Sequence, residues 1–300
     1  MERKALGYAL ATVLIWCSSF AAIRASFEGG FTPGTLLVVR FLIASALFAL
    51  YACWPGTSFR LPARSDIWRI AGLGFIGITV YHFGVTYGET TVSAGTAGMI
   101  IASAPIFTMI LAVVLLNERL SRTGWIGLVI GFIGIALIMF GAEGASFTVS
   151  KEVMYLLIAA IATSLFFVYQ KPYLKTYRPL ELTAYVTWFG SIPFLVALPD
   201  VVPVVRDATT EALGAAIYLG IFPTAIAYVL WAVALQEGEA GLISSLLYFE
   251  PVVAIVVAWF WLGEWPPTLS LIGGGVAIVS VGLIQWAHAR DRRKLVESSR

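Results

Sequence analysis

The sequence predicts an all-α integral membrane protein with ten transmembrane helices, built as two inverted five-helix repeats. Three observations support this prediction. Of the 300 residues, 59% are hydrophobic and only 12% are charged, whereas about a quarter of the residues in soluble domains are charged. The charges are spaced so that apolar runs of helix length separate them. The sequence also resembles itself at a constant offset of 146 residues.

Ten apolar stretches each fit one membrane crossing, because about 20 apolar residues in a helix cross a hydrocarbon core of roughly 30 Å. Two of these stretches, about 33–54 and 240–262, contain a single charge each. Three longer gaps between charges hold one span plus short polar ends: Glu89–Glu118, Glu211–Glu237 and Glu264–Arg290. Five gaps enclose 18 to 20 uncharged residues: Lys4–Arg24, Arg69–Glu89, Arg122–Glu143, Glu152–Lys171 and Glu181–Asp200.

The first span follows Arg3 and Lys4 and also has the pattern of a secretory signal peptide. Its counterpart in the second half lies in mid-chain, where no signal peptidase acts, so we predict a retained helix. The two cysteines, Cys17 and Cys53, both fall within spans. They define neither a disulfide framework nor a metal site.

The distribution of basic residues predicts the orientation of the spans. With ten spans, both termini lie on the same side of the membrane. If that side is the cytoplasm, the cytoplasmic segments hold fifteen of the 19 Lys and Arg residues, and the opposite loops hold only Arg24, Lys151 and Arg206. We therefore predict a multi-pass membrane protein with both termini cytoplasmic. The basic tail from about residue 288 is explained as a cytoplasmic stop, and no nucleic-acid partner is predicted.

The offset of 146 residues places Pro33 on Pro179 and Pro105 on Pro251. It also aligns Glu118 with Glu264, Gly74 with Gly220, Ala94-Gly95 with Ala240-Gly241, and Gly127 with Gly273. Because each copy contains an odd number of spans, the second copy must cross the membrane in the opposite direction. The predicted units are residues 1–145 and residues 146–300. Inverted repeats are typical of alternating access about a site near the membrane midplane; a duplicated bundle without a transport role is the alternative.

The landmarks lie in recognisable motifs. The segment Ser103-Ala-Pro-Ile-Phe-Thr-Met-Ile-Leu-Ala-Val-Val-Leu-Leu-Asn-Glu-Arg-Leu120 resembles the proline-containing helix, ending in Glu-Arg-Leu, of the drug/metabolite transporter superfamily. Tyr248-Phe-Glu-Pro-Val-Val-Ala-Ile-Val-Val-Ala-Trp-Phe-Trp-Leu-Gly-Glu264 resembles the second copy, and Arg40-Phe41 matches another common feature. The chain is similar throughout to EamA-type ten-helix transporters. Within that superfamily it most resembles bacterial aromatic amino-acid exporters of the YddG type, which implies outward transport of amino acids across the bacterial inner membrane. Val186, the counterpart of Arg40, departs from the repeat.

The repeated prolines suggest where a solute would bind. Pro105 and Pro251 each fall near the middle of a predicted span, where a proline removes a backbone hydrogen bond and bends the helix. We expect them to act as hinges or as fixed kinks, and in both cases to lie at the depth of the site.

Several polar and aromatic side chains are predicted to line a central cavity. His82 in the third span is equivalent to Tyr228 in the eighth, where Trp231 lies on the same helical face. Tyr81 points about 100° away from His82 on a regular helix and ranks lower. The remaining candidates for substrate binding are Trp16, Ser19, Ser103, Ser245 and Tyr248. Packing within the membrane interior is the alternative for each of them.

Arg40, His82 and Glu250 are the ionisable groups placed deep in predicted spans, where a charge costs about 2.5 to 3.5 kcal/mol even on lenient insertion scales. We consider two hypotheses for Arg40 and Glu250. They form an ion pair with each other inside the membrane, or each is hydrogen-bonded separately to water or to the backbone. Protonation of Glu250 or His82 would provide a means of proton coupling, and facilitated export is equally compatible with the sequence.

Two further features have structural explanations. Glu118 and Glu264 lie at equivalent helix ends, where we expect them to accept hydrogen bonds from neighbouring helices. Gly127 and Gly131 form a GxxxG pair that permits close helix contact within the chain or across a dimer. Because two halves already supply a complete pseudo-symmetric site, we expect a monomer to function.

An intramembrane enzyme is not predicted, because the sequence has no HExxH motif, and its aspartates all lie in predicted loops or tails. No catalytic residue, metal or cofactor is expected. The predicted partners are the lipid bilayer and a small-molecule substrate, either an amino acid or a similar metabolite. A drug carrier, a nucleotide-sugar carrier and a lipid flippase are the alternatives; Arg40 is the only cation available to a nucleotide sugar in the membrane.

Overall fold

The computed structural model describes residues 2–115, 121–142, 150–237 and 246–298, and all the regular elements in these ranges are helical. Eight helices are long and apolar enough to cross a membrane, and two shorter apolar helices, Glu250–Leu262 and Thr268–Ile284, follow them. The prediction of an all-α membrane protein is therefore confirmed. The eight long spans are Lys4–Glu28, Pro33–Ala52, Ile67–Gly88, Ala94–Leu111, Arg122–Ala142, Lys151–Lys175, Pro179–Asp207 and Thr210–Glu237.

The helices of the two halves follow one another in a similar order. The first half contains α1 (Glu2–Glu28), α2 (Pro33–Ala52), α3 (Ile67–Gly74), α4 (Tyr81–Gly88), α5 (Ala94–Ile101), α6 (Ala104–Leu115) and α7 (Arg122–Ala142). The second half contains α8 (Lys151–Gln170), α9 (Pro179–Ser191), α10 (Val201–Asp207), α11 (Thr210–Leu219), α12 (Ala227–Glu237), α13 (Glu250–Leu262) and α14 (Thr268–Ser298).

Helices α2 and α9 begin in the same way, although their capping residues differ. Each starts with a proline, Pro33 or Pro179, whose missing N–H is not needed at the first helical position. In α2, the backbone N–H of Thr35 donates to the side chain of Thr32. In α9, Glu181 Oε2 accepts from the backbone N–H of Arg178, 3.1 Å away. The repeated landmark therefore marks a helix start in both halves.

Two π-helical segments interrupt the helices that lead to the centre of the molecule. Phe75–Val80 joins α3 to α4, and Gly220–Ile226 joins α11 to α12. Pro223 lies within the second segment, and Thr224 Oγ1 donates to the carbonyl of Leu219 at 2.7 Å. A π-helical turn changes the direction in which all later side chains point, and such turns are common at functional sites.

The expectation that Pro105 and Pro251 lie in the middle of a bent helix is corrected by the structure. Helix α5 ends at Ile101 and a new helix begins at Ala104, so that Pro105 is the second residue of α6. Pro251 is likewise the second residue of α13, after a 3-10 turn at Leu246–Phe249. A proline in the first turn has no intrahelical hydrogen bond to lose, so the chain breaks before the proline instead of bending at it.

Helices α7 and α14 pack against each other through small residues. Ser280 Oγ donates to the carbonyl of Gly127 at 2.7 Å, and Ser270 Oγ donates to the carbonyl of Ile138 at 3.0 Å. Because contact positions rise along α7 as they fall along α14, the two helices run antiparallel. A Cβ at Gly134 would lie 2.7 Å from the backbone nitrogen of Ala277. The glycines of α7 therefore make their close contact within the chain.

The two halves also exchange equivalent contacts. A Cβ at Gly74 would lie 2.6 Å from the carbonyl oxygen of Val186. A Cβ at Gly220, which is 146 positions after Gly74, would lie 3.0 Å from the carbonyl oxygen of Arg40, the counterpart of Val186. Contacts that are reciprocal in this way are characteristic of a two-fold arrangement.

Candidate functional site

A small cavity lies where the two helix breaks meet α1, α4, α8 and α12. Its volume is about 20 Å³, room for one or two water molecules. A larger solute therefore requires the surrounding side chains to move apart. The residues that line the cavity are Trp16, Tyr81, Ile101, Ala102, Ala104, Pro105, Thr163, Phe167, Tyr228, Leu247 and Glu250.

Aromatic rings form one wall of the cavity. The ring centroid of Trp16 lies 5.3 Å from that of Tyr228 and 6.2 Å from that of Phe167, with which it is stacked. Trp231 packs against Trp16 and Phe167, at centroid distances of 5.3 and 5.6 Å. The indole N–H of Trp16 donates to the carbonyl of Pro223 at 3.2 Å. The π-helical segment thus holds Trp16 in place, and Trp231 supports the wall without being a lining residue.

His82 and Tyr228 lie in direct contact, although they are 146 residues apart in sequence. His82 Nε2 and the hydroxyl of Tyr228 share a hydrogen bond of 3.0 Å. Tyr228 lines the cavity, whereas His82 lies behind it and packs edge-on against Phe41 with 4.9 Å between ring centroids. The two repeat-equivalent residues therefore meet each other, and His82 contacts the cavity lining through Tyr228.

Tyr81, which the sequence ranked below His82, is a lining residue. On a regular helix through the third span, Tyr81 would point away from the face that carries His82. The π-helical segment at Phe75–Val80 ends immediately before Tyr81. It shifts the register of α4, and Tyr81 is turned to the cavity instead of His82.

Glu250 contributes the carboxylate of the cavity. It is the first residue of α13 and is only 6% exposed, and no described residue donates a hydrogen bond to its carboxylate. The nearby Cys17 Sγ donates to the backbone carbonyl of Glu250, at 3.4 Å, and not to its side chain. The N-terminal position on a helix favours a negative charge. Among the described lining residues, none carries a positive charge.

Arg40 is separate from the cavity and from Glu250. It is 3% exposed, and its Nε donates to Thr224 Oγ1 at 2.5 Å. Its guanidinium carbon also lies 5.7 Å from the ring centroid of Phe41. Within the described ranges, no ion pair joins Arg40 to Glu250. The hypothesis of an interior pair was therefore wrong: α2 packs on the π-helical segment after Gly220, which brings Arg40 to Thr224.

Of the remaining predicted binding residues, two serines lie outside the cavity lining, and two other side chains lie outside the described part of the chain. Ser19 Oγ donates to the carbonyl of Trp16, and Ser103 Oγ donates to the carbonyl of Ile100, so both hydroxyls bond within their own helices. Neither serine is among the lining residues. Ser245 and the side chain of Tyr248 lie outside the described residues. In the described part of the chain, no group of three or more His, Cys, Asp or Glu side chains could hold a metal ion.

Sequence reasoning missed Thr163 and Phe167, which line the cavity from α8. One available signal was their spacing of four residues, which places them on one helical face. Another was that α8 is the repeat counterpart of α1, the helix from which Trp16 was chosen. The lining residues Ile101, Ala102, Ala104 and Leu247 are apolar and border the helix breaks, so only knowledge of the breaks would have identified them.

A partly buried polar cluster lies at one end of the bundle, away from the cavity. Arg24 Nε and Glu264 Oε1 form an ion pair of 3.1 Å, and Arg24 also donates to the carbonyl of Glu89. Glu264 Oε2 accepts from the first backbone N–H of α5, that of Ala94, at 3.1 Å. The expected role of Glu264 as an acceptor for a neighbouring helix is confirmed. Glu118 lies outside the described residues.

Glu89 is the least satisfied member of this cluster. It follows α4 outside the spans, and neither of its carboxyl oxygens has a hydrogen-bond partner among the described residues. Burial raises the pKa of Glu89 well above its ordinary value; the charge of Arg24 lowers it in part, and that of Glu264 raises it.

Comparison with known proteins gives consistent matches over the whole chain. The model of the EamA-like transporter family matches twice, at residues 3–140 and at residues 150–286. The uncharacterized transporter YdfC of Bacillus subtilis is 38% identical, over 92% of this chain and 88% of its own. A "probable terminal-alkyne amino-acid exporter" of Streptantibioticus cattleyicolor is 36% identical, over 97% and 96% of the two chains.

A solved crystal structure has a similar fold. It matches with a TM-score of 0.65 and covers 97% of this chain and 99% of its own. The sequence identity is only 20%, so this likeness concerns the arrangement of the helices and not the solute.

Proposed function

The chain belongs to the EamA-like transporter family, and on that premise we propose that it exports amino acids, aromatic and other apolar ones, or similar small metabolites. Transport proceeds by alternating access through the central cavity. The observation that carries this proposal is the composition of that cavity, in which the rings of Trp16, Phe167 and Tyr228 lie beside Glu250. An apolar wall with few polar groups suits an amphipathic solute.

We also propose ten spans in two inverted halves as the framework for this movement. The eight long helices and the two shorter apolar ones support the count. The two separate matches of the family model support the duplication. The antiparallel packing of α7 on α14, which start at equivalent positions, supports the inversion. Halves related in this way can exchange two conformations about a shared cavity.

The choice of amino acids is supported by a relative as well as by the cavity. The Streptantibioticus cattleyicolor protein, whose description names an amino-acid exporter, is similar along almost the whole chain. A nucleotide-sugar carrier fits less well, because its phosphates would require cations and none of the described lining residues is basic. Arg40 does not meet that need, since its Nε is bonded to Thr224.

The remaining parts of the proposal concern the cell. We place the protein in the bacterial inner membrane, with both termini in the cytoplasm, as the excess of basic residues in the intervening segments indicates. A single chain provides both halves of the cavity, so a monomer suffices for transport. Reporter fusions after residues 60 and 145 test the orientation, because they should report opposite sides of the membrane.

The test of transport uses the purified full chain in proteoliposomes loaded with radiolabelled phenylalanine. We expect release to be faster than from protein-free vesicles, and to be lost in Trp16→Ala, because this change removes the centre of the aromatic wall. Trp125→Ala is the matched control, since Trp125 is 53% exposed on α7 and far from the cavity lining. Equal release with and without protein, for phenylalanine and a panel of other amino acids, would refute the proposed substrate.

A further inference from the structure

We propose that the cavity recognises the ammonium group of its solute, through Glu250 and the adjacent rings, and does not require a carboxylate on the solute. This inference rests on the proposed transport function, because it concerns the same cavity. Its consequence is a defined class of ligand: an aromatic or apolar amine, with or without the carboxylate of an amino acid.

The first support is that the carboxylate of Glu250 has no partner among the described residues. Its carboxylate is buried in the cavity lining, and no described residue offers it a hydrogen bond or a positive charge. Arg40, the cation that the sequence suggests as an ion-pair partner for Glu250, is instead bonded to Thr224. A buried carboxylate without a partner is costly, and a cationic ligand removes part of that cost when it binds. Nothing in the described part of the chain commits the carboxylate of Glu250 to the fold, so we infer that it is available to a ligand.

The second support is the set of rings around this carboxylate. Trp16, Tyr81, Phe167 and Tyr228 all line the cavity with Glu250. Cations are attracted to the faces of Trp and Tyr rings, most strongly when water is excluded, and aromatic cages commonly bind ammonium groups. The centroids of Trp16 and Tyr228 are 5.3 Å apart. The wall therefore offers both an apolar surface and a second attraction for an ammonium group.

The third support is the shortage of groups that could bind a carboxylate. The indole N–H of Trp16 already donates to the carbonyl of Pro223, and the hydroxyl of Tyr228 is bonded to His82. Helix α6 begins at the cavity, but its second residue is a proline, and the N–H of Ile106 donates to the carbonyl of Ser103 at 2.9 Å. A solute carboxylate would also be repelled by Glu250. Among the side chains of the described lining residues, the hydroxyls of Tyr81 and Thr163 are the neutral donors that remain.

The test measures binding of three ligands with the same ring to the purified full chain: phenethylamine, phenylalanine and 3-phenylpropanoate. They carry an ammonium group alone, both groups, and a carboxylate alone. We expect phenethylamine to bind at least as tightly as phenylalanine, and 3-phenylpropanoate to bind at least about tenfold more weakly, the loss expected for one charged hydrogen bond. Quenching of tryptophan fluorescence provides the readout, because Trp16 is part of the wall.

Substitution then identifies the group responsible. Glu250→Gln keeps the shape and removes the charge, and we expect it to weaken phenethylamine binding by about tenfold or more. Glu89→Gln is the control, since Glu89 is a buried carboxylate that does not line the cavity. If Glu250→Gln does not fold, the ligand series on the unaltered chain decides the question alone.

Three results would overturn the inference: binding of phenylalanine without phenethylamine, tight binding of 3-phenylpropanoate, or unchanged phenethylamine affinity in Glu250→Gln. Failure of all three ligands to bind would overturn it as well. The release of phenylalanine from proteoliposomes is a separate measurement. It can succeed when the inference fails, which would mean that the chain transports amino acids but recognises them by other groups.

Discussion

The two halves of the molecule share their helix starts, helix breaks and π-helical segments, but they differ in the side chains that face the cavity. Positions 146 residues apart hold the helix starts at Pro33 and Pro179, and also the starts of α6 and α13 at Ala104 and Glu250. The π-helical segments before α4 and α12 end at equivalent positions as well, at Val80 and Ile226. The breaks and shifts in helix geometry that create the cavity therefore occur twice.

The chemistry of the cavity occurs once. Glu250 is the counterpart of Ala104, Trp16 that of Ala162, and Phe167 that of Ala21. One wall is therefore aromatic and acidic where its equivalent carries small residues. In the proposed mechanism, equal backbones allow two mirror-related conformations, and we expect unequal side chains to give the solute one preferred orientation in both. Recognition and movement are assigned to different parts of the sequence, and they can be tested separately.

The largest effect is expected where α7 and α14 pack closely against each other. Gly127 and Gly273 are equivalent, and a Cβ at these positions would lie 2.7 Å from Ile284 Cγ1 and 2.6 Å from the nitrogen of Ile138, respectively. We expect Gly127→Ala and Gly273→Ala each to lower stability by about 1–3 kcal/mol through overpacking, measured by thermal unfolding in detergent. Gly275→Ala is the control, because no atom lies within 4 Å of its added Cβ. Unequal losses at the two equivalent glycines would argue against equivalent packing.

A second, similar effect is expected where only one half has a polar pair. Arg40 and Thr224 are bonded, whereas their counterparts Val186 and Ile78 form an apolar pair in one buried cluster. Thr224→Val leaves the buried Nε of Arg40 without an acceptor and should lower stability by about 1–3 kcal/mol. Arg40→Val combined with Thr224→Ile, which copies the apolar pair, should lower it by less than the two single changes summed.

The control for this cycle is Thr183→Val, a buried threonine whose hydroxyl donates only to the carbonyl of Pro179 in its own helix. It should change the unfolding temperature by less than Thr224→Val does. Strict additivity of the Arg40 and Thr224 substitutions would contradict the coupling between them.

A smaller effect is expected at Glu89, whose counterpart is the neutral Leu235. Because burial raises the pKa of Glu89, the folded chain binds this proton more tightly than the unfolded chain does. Stability should therefore fall as pH rises above about 4.3, the ordinary value for glutamate, until the carboxyl ionises in the folded state. Arg24 offsets part of this loss, which is why we rank it last.

Unfolding temperatures measured between pH 5 and pH 8 test this prediction. In Glu89→Gln the unfolding temperature should decline less steeply with pH than in the unaltered chain. Glutamine has nearly the same size and shape as glutamate, but it does not titrate. Glu152→Gln, which alters the carboxyl paired with the exposed Lys151 at the start of α8, provides the comparison. An identical pH dependence in Glu89→Gln and the unaltered chain would show that Glu89 does not carry a perturbed proton.

The sequence predicted the helices better than the directions of their side chains. Charge spacing and apolar length determine where a span can be, and those are local properties. The face on which Tyr81 lies depends on a π-helical turn, which no periodicity of 3.6 residues indicates. The proline positions were visible, but whether the chain bends at Pro105 or breaks before it depends on neighbouring helices. Thr163 and Phe167 were missed for the same reason, since packing decides which face of α8 meets α1.

Access to the cavity from alternating sides is the central claim, and cysteine labelling tests it most directly. Ala102→Cys, in a chain that also carries Cys17→Ala and Cys53→Ser, places one thiol in the cavity lining. We predict that a membrane-impermeant thiol reagent labels this cysteine both in right-side-out and in inside-out vesicles. Phenylalanine or phenethylamine should slow the labelling in both. No labelling from either side, or labelling that neither ligand changes, would contradict transport through this cavity.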